Sequence, residues 1–582
     1  MPETSPSDLA LALVHEGWDH LRHQRPIAAW ASWNRALRFA PEHKAATHAL
    51  SVLAGAGDLP EAAREDRKFL TPRGESSRAR WDAQFRGRDL GELDIAAGAF
   101  AALADDEPAD GRARYNQGLC LAWLGRNAEA VAALGLAVAA LAAEEFDTAV
   151  DAWTLAEVLR QGAGAEAMAD DLNHVATIAW TLGDDPSAFL GTRPEVRPIP
   201  APIDPVTGEP RLSDARLYEW LDRPPLPEPG PEVATLTDVR RVRATAIRLP
   251  RSLRLSGPDP ILLEEVRSDA DRIAGDRAES TRREVSPLPL AFLDAAVWAI
   301  RMPPGVGPDD EDRLNRAAVE RYYEETWIRR PRRGLDGRSP FEAAALATAG
   351  DPVARAKLTG VILLREQLGS RPTTARLYQG YPFDRLRRRL GLPPTDPEAI
   401  DPADPASMSG DELNRLDPST LDDFALAEAY ESAAALGDDA RTARFATVLA
   451  AREPSALDRL DRPALFATLV RHSLAADDPD LALSHLDRAK AVDRILDGGR
   501  ERRRYEIWKA ELNARAGRPD ASALVYTNLL DEHPDPALAL DAAETLLDNG
   551  HDEQGRNFAR IAFDLASQAG NREIEARAEH LA

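Results

Sequence analysis

GWDHLRHQRPIAAWASWNRALRFAP, residues 17–41, decides how the chain is read. Small residues, Gly17, Ala29 and Ala36, alternate with the large Trp33, and Pro41 closes the stretch. RYNQGLCLAWLGRNAEAVAALGLAV, residues 114–138, repeats the pattern with Gly118, Gly125, Ala130, Leu134 and Ala137. Gly17 to Gly118, Ala29 to Ala130 and Ala36 to Ala137 are each an offset of 101 residues. That is close to three periods of about 34, the length of a helix-pair repeat. Between the two copies, Ala96, Phe100, Leu103 and Pro108 supply the second helix of another unit, and residues 44–72 supply a degenerate one through Gly57 and Ala63. Residues 146–183 read as further amphipathic helix, capping the outer face of an end repeat.

The spacing of these residues resembles the tetratricopeptide repeat. That resemblance implies two antiparallel helices per unit, small residues where they touch and proline after the second. It recurs from Asp417 onward. ALAEAYESAAALGDDARTARFATVLAAREP (425–454) places Gly437 at the inter-helix turn and Pro454 after the second helix, and WKAELNARAGRPDASALVYTNLLDEHP (508–534) has Gly517, Tyr526 and Pro534 in the same roles. Gly550 follows Gly517 by 33 residues. The charged run GGRERRR, Gly498–Arg504, reads as a solvated loop between units.

The expected class is therefore all-α: two tetratricopeptide-like solenoid arrays flanking a mostly helical centre with at most one small β-hairpin. The boundaries fall at 1–190 for the N-terminal array, 191–235 for a proline-rich linker, 236–392 for a basic central domain, 393–415 for a linker rich in Pro and Asp, and 416–582 for the C-terminal array. From Pro194 to Pro231 there are 11 prolines in 38 residues, a composition that cannot form helix and favours extended geometry. Beyond it, β-branched alternation broken at Pro250-Arg251 predicts one hairpin, Val242–Leu249 with Ser252–Ser256. Helices are expected over Pro260–Gly275, Leu288–Arg301, Asp310–Ile328, Pro340–Ala349, Val353–Leu368 and Phe383–Leu390.

Composition narrows the function. Apolar residues at 44% and charged residues at 29% describe a folded chain, and the net charge of −25 opposes wrapping of nucleic acid or an anionic membrane by the chain as a whole. The charge is uneven. Asp238–Gly391 holds 29 Lys or Arg against 22 Asp or Glu, a net +7, which leaves −32 on the flanks. No stretch reaches the roughly 18 uncharged apolar residues of a membrane span, and Met1–Ala10 lacks the pattern of a secretory signal, so the expected location is the cytoplasm. The single cysteine, Cys120, excludes an internal disulfide and a thiolate zinc site and reads as core.

Catalytic signals are missing. All 11 histidines lie at or before His174 or at or after His472, so the centre has neither histidine nor cysteine, the commonest sources of a general base and a metal ligand. There is no GxxxxGK[ST], GxSxG or HExxH. The expectation is no enzyme, no cofactor and no metal, with other proteins as partners. By the family resemblance, the face of each first helix left open by stacking carries Trp18 and Arg22 in the first unit and Arg112, Tyr115, Asn116 and Trp123 in the fourth.

One further stretch stands out: YYEETWIRRPRRGLDGRSPFEAA, residues 322–344. Pro331 disfavours helix in the residue before it, Asp336-Gly337 turns the chain, and Ser339-Pro340 with Glu342 forms a capping box. The stretch resembles a tryptophan, proline, LDGxSP signature of bacterial proteins and the toxin-binding segment of Xre/MbcA/ParS antitoxins. No helix-turn-helix module of that family accompanies it here. Trp327 with Arg329, Arg330, Arg332 and Arg333 is the candidate contact for an anion or a partner. Two functions follow. The chain is either an interaction scaffold taking up peptides or helices on its arrays, or a regulator whose basic centre binds nucleic acid or a toxin-like protein.

Overall fold

Gly17 shows why these helices pair. A Cβ built there would lie 2.2 Å from the indole nitrogen of Trp33, so only a hydrogen lets the two helices close. The same indole donates to the Val14 carbonyl at 3.2 Å. Gly118 has the same role in the fourth unit, its missing Cβ falling 2.6 Å from Leu134. In this computed structural model, residues 5–57, 59–64, 67–74, 78, 92–161, 172–180, 190, 193–200, 216–226, 234–236, 238–257, 259–274, 278–289, 300–371, 378, 380–399, 401–458 and 460–582 are described. They divide into two compact units, Met1–Thr395 and Asp396–Ala582.

In the first unit, α1 (Pro6–Arg22) pairs with α2 (Pro26–Phe39). Then come α3 (Lys44–Ala54), a single turn α4 (Glu61–Arg64) and a segment from 67 to 73 that is neither helix nor strand. The degenerate unit thus keeps its first helix and shortens its second to one turn. The helices α5 (Leu93–Asp106), α6 (Gly111–Trp123), α7 (Asn127–Leu141) and α8 (Phe146–Gln161) complete the array. Asp110 caps α6 by accepting from the Arg112 amide at 3.2 Å.

The centre departs from the expected single hairpin. Among the described residues it contains a seven-stranded antiparallel sheet: β1 (Leu172–Trp180), β2 (Val196–Ile199), β3 (Arg216–Leu221), β4 (Arg240–Leu249), β5 (Ser252–Gly257), β6 (Ala278–Pro289) and β7 (Ile300–Arg301). Its order is β2-β3-β4-β5-β1-β6, with β7 beside β4. The β4–β5 hairpin is the expected one, closing at Leu249↔Ser252. The others escaped for identifiable reasons. β2 and β3 lie inside the stretch read as a proline-rich linker. Pro198 is tolerated because β2 is an edge strand, where a missing N–H costs no ladder bond. β3 is buried on both faces, Leu217 and Leu221 on one and Tyr218 and Trp220 on the other, which erases alternation. β1 falls where continued helix was expected. Helix α9 (Pro260–Ala274) lays Leu263, Val266 and Ala270 on this sheet against Trp180, Trp220 and Leu255. Of the expected helix Leu288–Arg301, the ends are strand and 290–299 lie outside the described residues.

Beyond the sheet, α10 (Pro308–Arg321) runs into a π turn at Tyr322–Thr326 and a 3₁₀ turn at Trp327–Arg329. Asp336 (φ +58°) and Gly337 (φ +78°) make the turn, and Ser339 with Glu342 forms the capping box opening α11 (Pro340–Thr348). Helices α12 (Pro352–Gly369) and α13 (Phe383–Arg389) follow. These helices share one apolar core with the N-terminal array. The joint is Trp153 of α8: a Cβ on Gly360 of α12 would stand 2.4 Å from its ring, and one on Gly334 would stand 3.0 Å away.

The second unit begins with α14 (Gly410–Arg415). It then stacks helix pairs α15 (Asp423–Leu436) with α16 (Asp439–Ala451), α17 (Arg462–Ala475) with α18 (Pro479–Leu496), α19 (Arg502–Arg515) with α20 (Pro519–Glu532), and α21 (Pro536–Asp548) with α22 (Asp552–Ala569). A last helix, α23 (Arg572–Leu581), closes the end. Gly437, Gly517 and Gly550 sit at the inter-helix turns with φ of +74°, +69° and +79°. Both ends of the chain are therefore helical-repeat arrays, and the molecule is predominantly helical.

Candidate functional site

The fourth unit of the N-terminal array holds a piece of its own chain. Residues 67–73 run extended, and Asn116 on α6 grips their backbone: its side-chain oxygen accepts from the Leu70 N–H at 2.7 Å, and its amide donates to the Leu70 carbonyl at 2.7 Å. The Arg112 guanidinium donates to the Thr71 carbonyl at 2.8 Å, and Asp110 accepts from the Arg73 N–H at 2.7 Å. At one end of the segment, Arg67 is buried between Tyr115 (3.1 Å) and the Asp151 carboxylate (2.5 Å), and the Tyr115 hydroxyl donates to the same carboxylate at 2.8 Å. Burial would lower the Arg67 pKa, but Tyr115 and Asp151 outweigh it and hold the charge. Burial is also the main reason the Tyr115 phenol rises to about 12, with Arg67 pulling the other way.

At the other end Arg73 pairs with Glu144 and with Glu145 at 2.5 Å, and Arg112 meets Glu145 at 2.9 Å. Between the basic ends, the Phe69 ring lies 4.9 Å from Phe100 and 5.2 Å from Trp123, which in turn stacks on Trp30 at 5.8 Å. Four of the six residues expected on the open face, Arg112, Tyr115, Asn116 and Trp123, thus converge on one extended segment, three of them buried. Trp18 is half-buried, edge-on to Trp33 at 5.1 Å, and Arg22 is exposed. Asp110, Glu144, Glu145, Asp151 and Arg67 were not singled out from the sequence. The signal that could have found them was a degenerate repeat unit with a shortened second helix ahead of residues 67–73.

The central candidate is divided by burial. Trp327 and Arg332 are fully buried, with the guanidinium 5.1 Å over the indole and the Arg332 backbone bonded to Arg338. Arg330 pairs with Asp259 at 3.1 Å, while Arg329 and Arg333 are exposed. The arginines Arg385, Arg387 and Arg389 of α13 are directed inward. Glu324 meets Arg385 at 2.7 Å and Arg389 at 3.5 Å and accepts from the Tyr381 hydroxyl at 3.2 Å; Arg387 pairs with Asp384 at 2.8 Å and with Glu366. Around them Tyr323, Tyr381 and Phe383 pack as an aromatic core, Tyr323 stacking on Tyr381 at 5.0 Å. Asp259, Glu324, Glu366 and Asp384, which pair with these arginines, all belong to the centre itself.

In the second unit, Arg500, Glu501, Arg503, Arg504, Ile507 and Trp508 line an open cleft of about 350 Å³, with Arg504 4.8 Å over the Trp508 ring. Among the described residues no three His, Cys, Asp or Glu side chains gather as a metal site, and no helix is long and apolar enough to cross a membrane.

No family model matches the chain, and no curated protein does. Among solved structures, the yeast Tom70 crystal structure aligns over 98% of this chain and 95% of its own at 12% identity, with a TM-score of 0.21. The APC/C hetero-tetramer Cut9-Hcn1 aligns over 99% and 98% at 11% identity, with a TM-score of 0.19. At these scores the likeness carries no argument, and the repeat fold stands on its own helix-pair geometry.

Proposed function

We propose that this chain is a non-catalytic scaffold or adaptor that takes up segments of other proteins on its helical-repeat arrays. One observation carries the reading. The inner face of α6 presents a carboxamide, a guanidinium and an aromatic pocket at the spacing of an extended peptide, and such a peptide, residues 67–73, lies on it. A surface that satisfies both backbone groups of a residue binds extended chain of many sequences, with charge and pocket shape adding selectivity. Trp18 and Arg22 extend the same role to the first unit.

The test is site-specific photo-crosslinking in cells. A photoreactive residue at Arg22, which is exposed, should capture a discrete set of proteins. The same residue at Leu136, on the outer side of α7 and 56% exposed, should not. Identical capture at both positions, or none at either, would rule the scaffold reading out.

A further inference from the structure

Residues 67–73 have the properties of a bound ligand. The segment forms neither helix nor strand. It is held by side chains, from Asp110, Arg112, Tyr115 and Asn116 at the start of α6, Glu144 and Glu145 in the α7–α8 turn, and Asp151 on α8. Lys68 and Thr71 point to solvent, Arg67 and Phe69 face the groove, Pro72 is buried, and Arg73 is exposed but paired with Glu144 and Glu145 at the rim, so a short basic–aromatic–basic pattern is what the surface reads. Asn116 demands only an extended backbone. Selectivity comes from Asp151 at one end, Glu144 with Glu145 at the other, and the Phe100–Trp123 pocket between them.

We infer that residues 67–73 are an internal stand-in for an external ligand. The groove takes an extended partner segment with a basic residue, an aromatic-leucine pair two and three positions on and a second basic residue three beyond, and the chain's own copy competes for the place. This deepens the scaffold reading and rests on it. The competition sets an affinity threshold. A tethered segment acts at an effective concentration on the order of millimolar, so a free peptide of equal intrinsic affinity is largely excluded until the internal copy is weakened or outmatched. A partner carrying this pattern engages when it binds better than Arg67–Arg73 does, or when something else draws that segment away.

The experiment uses the full-length chain and a fluorescein-labelled peptide RKFLTPRG, the sequence of residues 67–74. Arg67→Ala with Arg73→Ala loosens both charged ends of the internal copy while leaving the groove intact. The peptide should bind this variant at least tenfold more tightly than the parent by fluorescence anisotropy, and Asn116→Ala in the same background should abolish the gain. A second measurement keeps the parent contacts in place. Lys68 is exposed and Cys120 is buried, so Lys68→Cys can be labelled with an environment-sensitive dye, whose emission should change saturably as unlabelled peptide displaces the segment. If the double variant fails to fold, the dye titration alone decides.

Equal affinity for parent and variant, binding indifferent to Asn116, or no dye response up to millimolar peptide each overturn the inference and make residues 67–73 a structural strap. If that happens while capture at Arg22 persists, the scaffold reading stands. If capture is lost as well, both fall.

Discussion

Gly360→Ala separates two opposing effects of one methyl group. In an open helix interior the change is favourable, because alanine exceeds glycine in helix propensity by about 1 kcal/mol. Gly135 in α7 has nothing within 4 Å of its built Cβ, so Gly135→Ala should stabilise by about that amount. At Gly360 the same methyl would stand 2.4 Å from Cε3 and 3.0 Å from Cζ3 of Trp153, a rigid ring that is itself buried in the shared core. Forcing an extra carbon into packed surroundings costs typically 1–3 kcal/mol. The net effect at Gly360 should therefore be about 0–2 kcal/mol destabilising, and the two alanine variants should differ by about 1–3 kcal/mol. Urea denaturation followed by far-UV circular dichroism and tryptophan fluorescence measures both. Trp153→Leu should remove the difference, so that Gly360→Ala and Gly135→Ala have similar effects in that background. If Gly360→Ala stabilises as Gly135→Ala does, Trp153 does not fill that position and the array and centre do not share a core.

Three further outcomes are expected. Glu324→Ala should cost about 3–5 kcal/mol in the same assay, because it strips a buried carboxylate from Arg385 and Arg389, and lone buried charges are expensive. Glu219 is buried and accepts from Arg301 and Arg197 at 2.9 Å each; burial raises its pKa, but these bonds outweigh that and hold it below the ordinary value. A depressed carboxylate contributes stability that is present above about pH 4.3 and lost as the pH falls through its folded value. Glu219→Gln should therefore be less stable than the parent at pH 7, with the two curves converging in acid; a constant gap across the titration would contradict the ion-pair account. Ala130→Trp, at a fully buried contact between α6 and α7, should destabilise by about 1–3 kcal/mol, and a neutral result would mean the helices of that pair do not meet there.

The repeats were legible because each depends on one short-range rule. Gly17 beside Trp33, and Gly118 beside Leu134, are contacts that only a missing side chain permits, so the residues recur at fixed spacing. The capping box at Ser339 and Glu342 and the turn at Asp336-Gly337 are equally local. The sheet was not legible, because its pairing is long-range: β1 lies between β5 and β6, strands more than 70 residues further along, and β3 carries apolar or ion-paired residues on both faces. At the groove, the sequence located the residues of α6 but not what they hold. Nothing in Arg-Lys-Phe-Leu says whether the segment is helix or not; its backbone is held instead by Asn116, 46 residues away from Leu70.

The lodging of Trp153 against Gly360 also bears on how the chain is made. Gly360 follows Trp153 by 207 residues. At a synthesis rate of about 5–20 residues per second, the apolar flank of α8 emerges from the ribosome roughly 10–40 s before its cover exists. During that interval the nascent array can pair its own helices but must leave that flank wet, which makes it a place where a chaperone would wait and where truncated chains would adhere to one another.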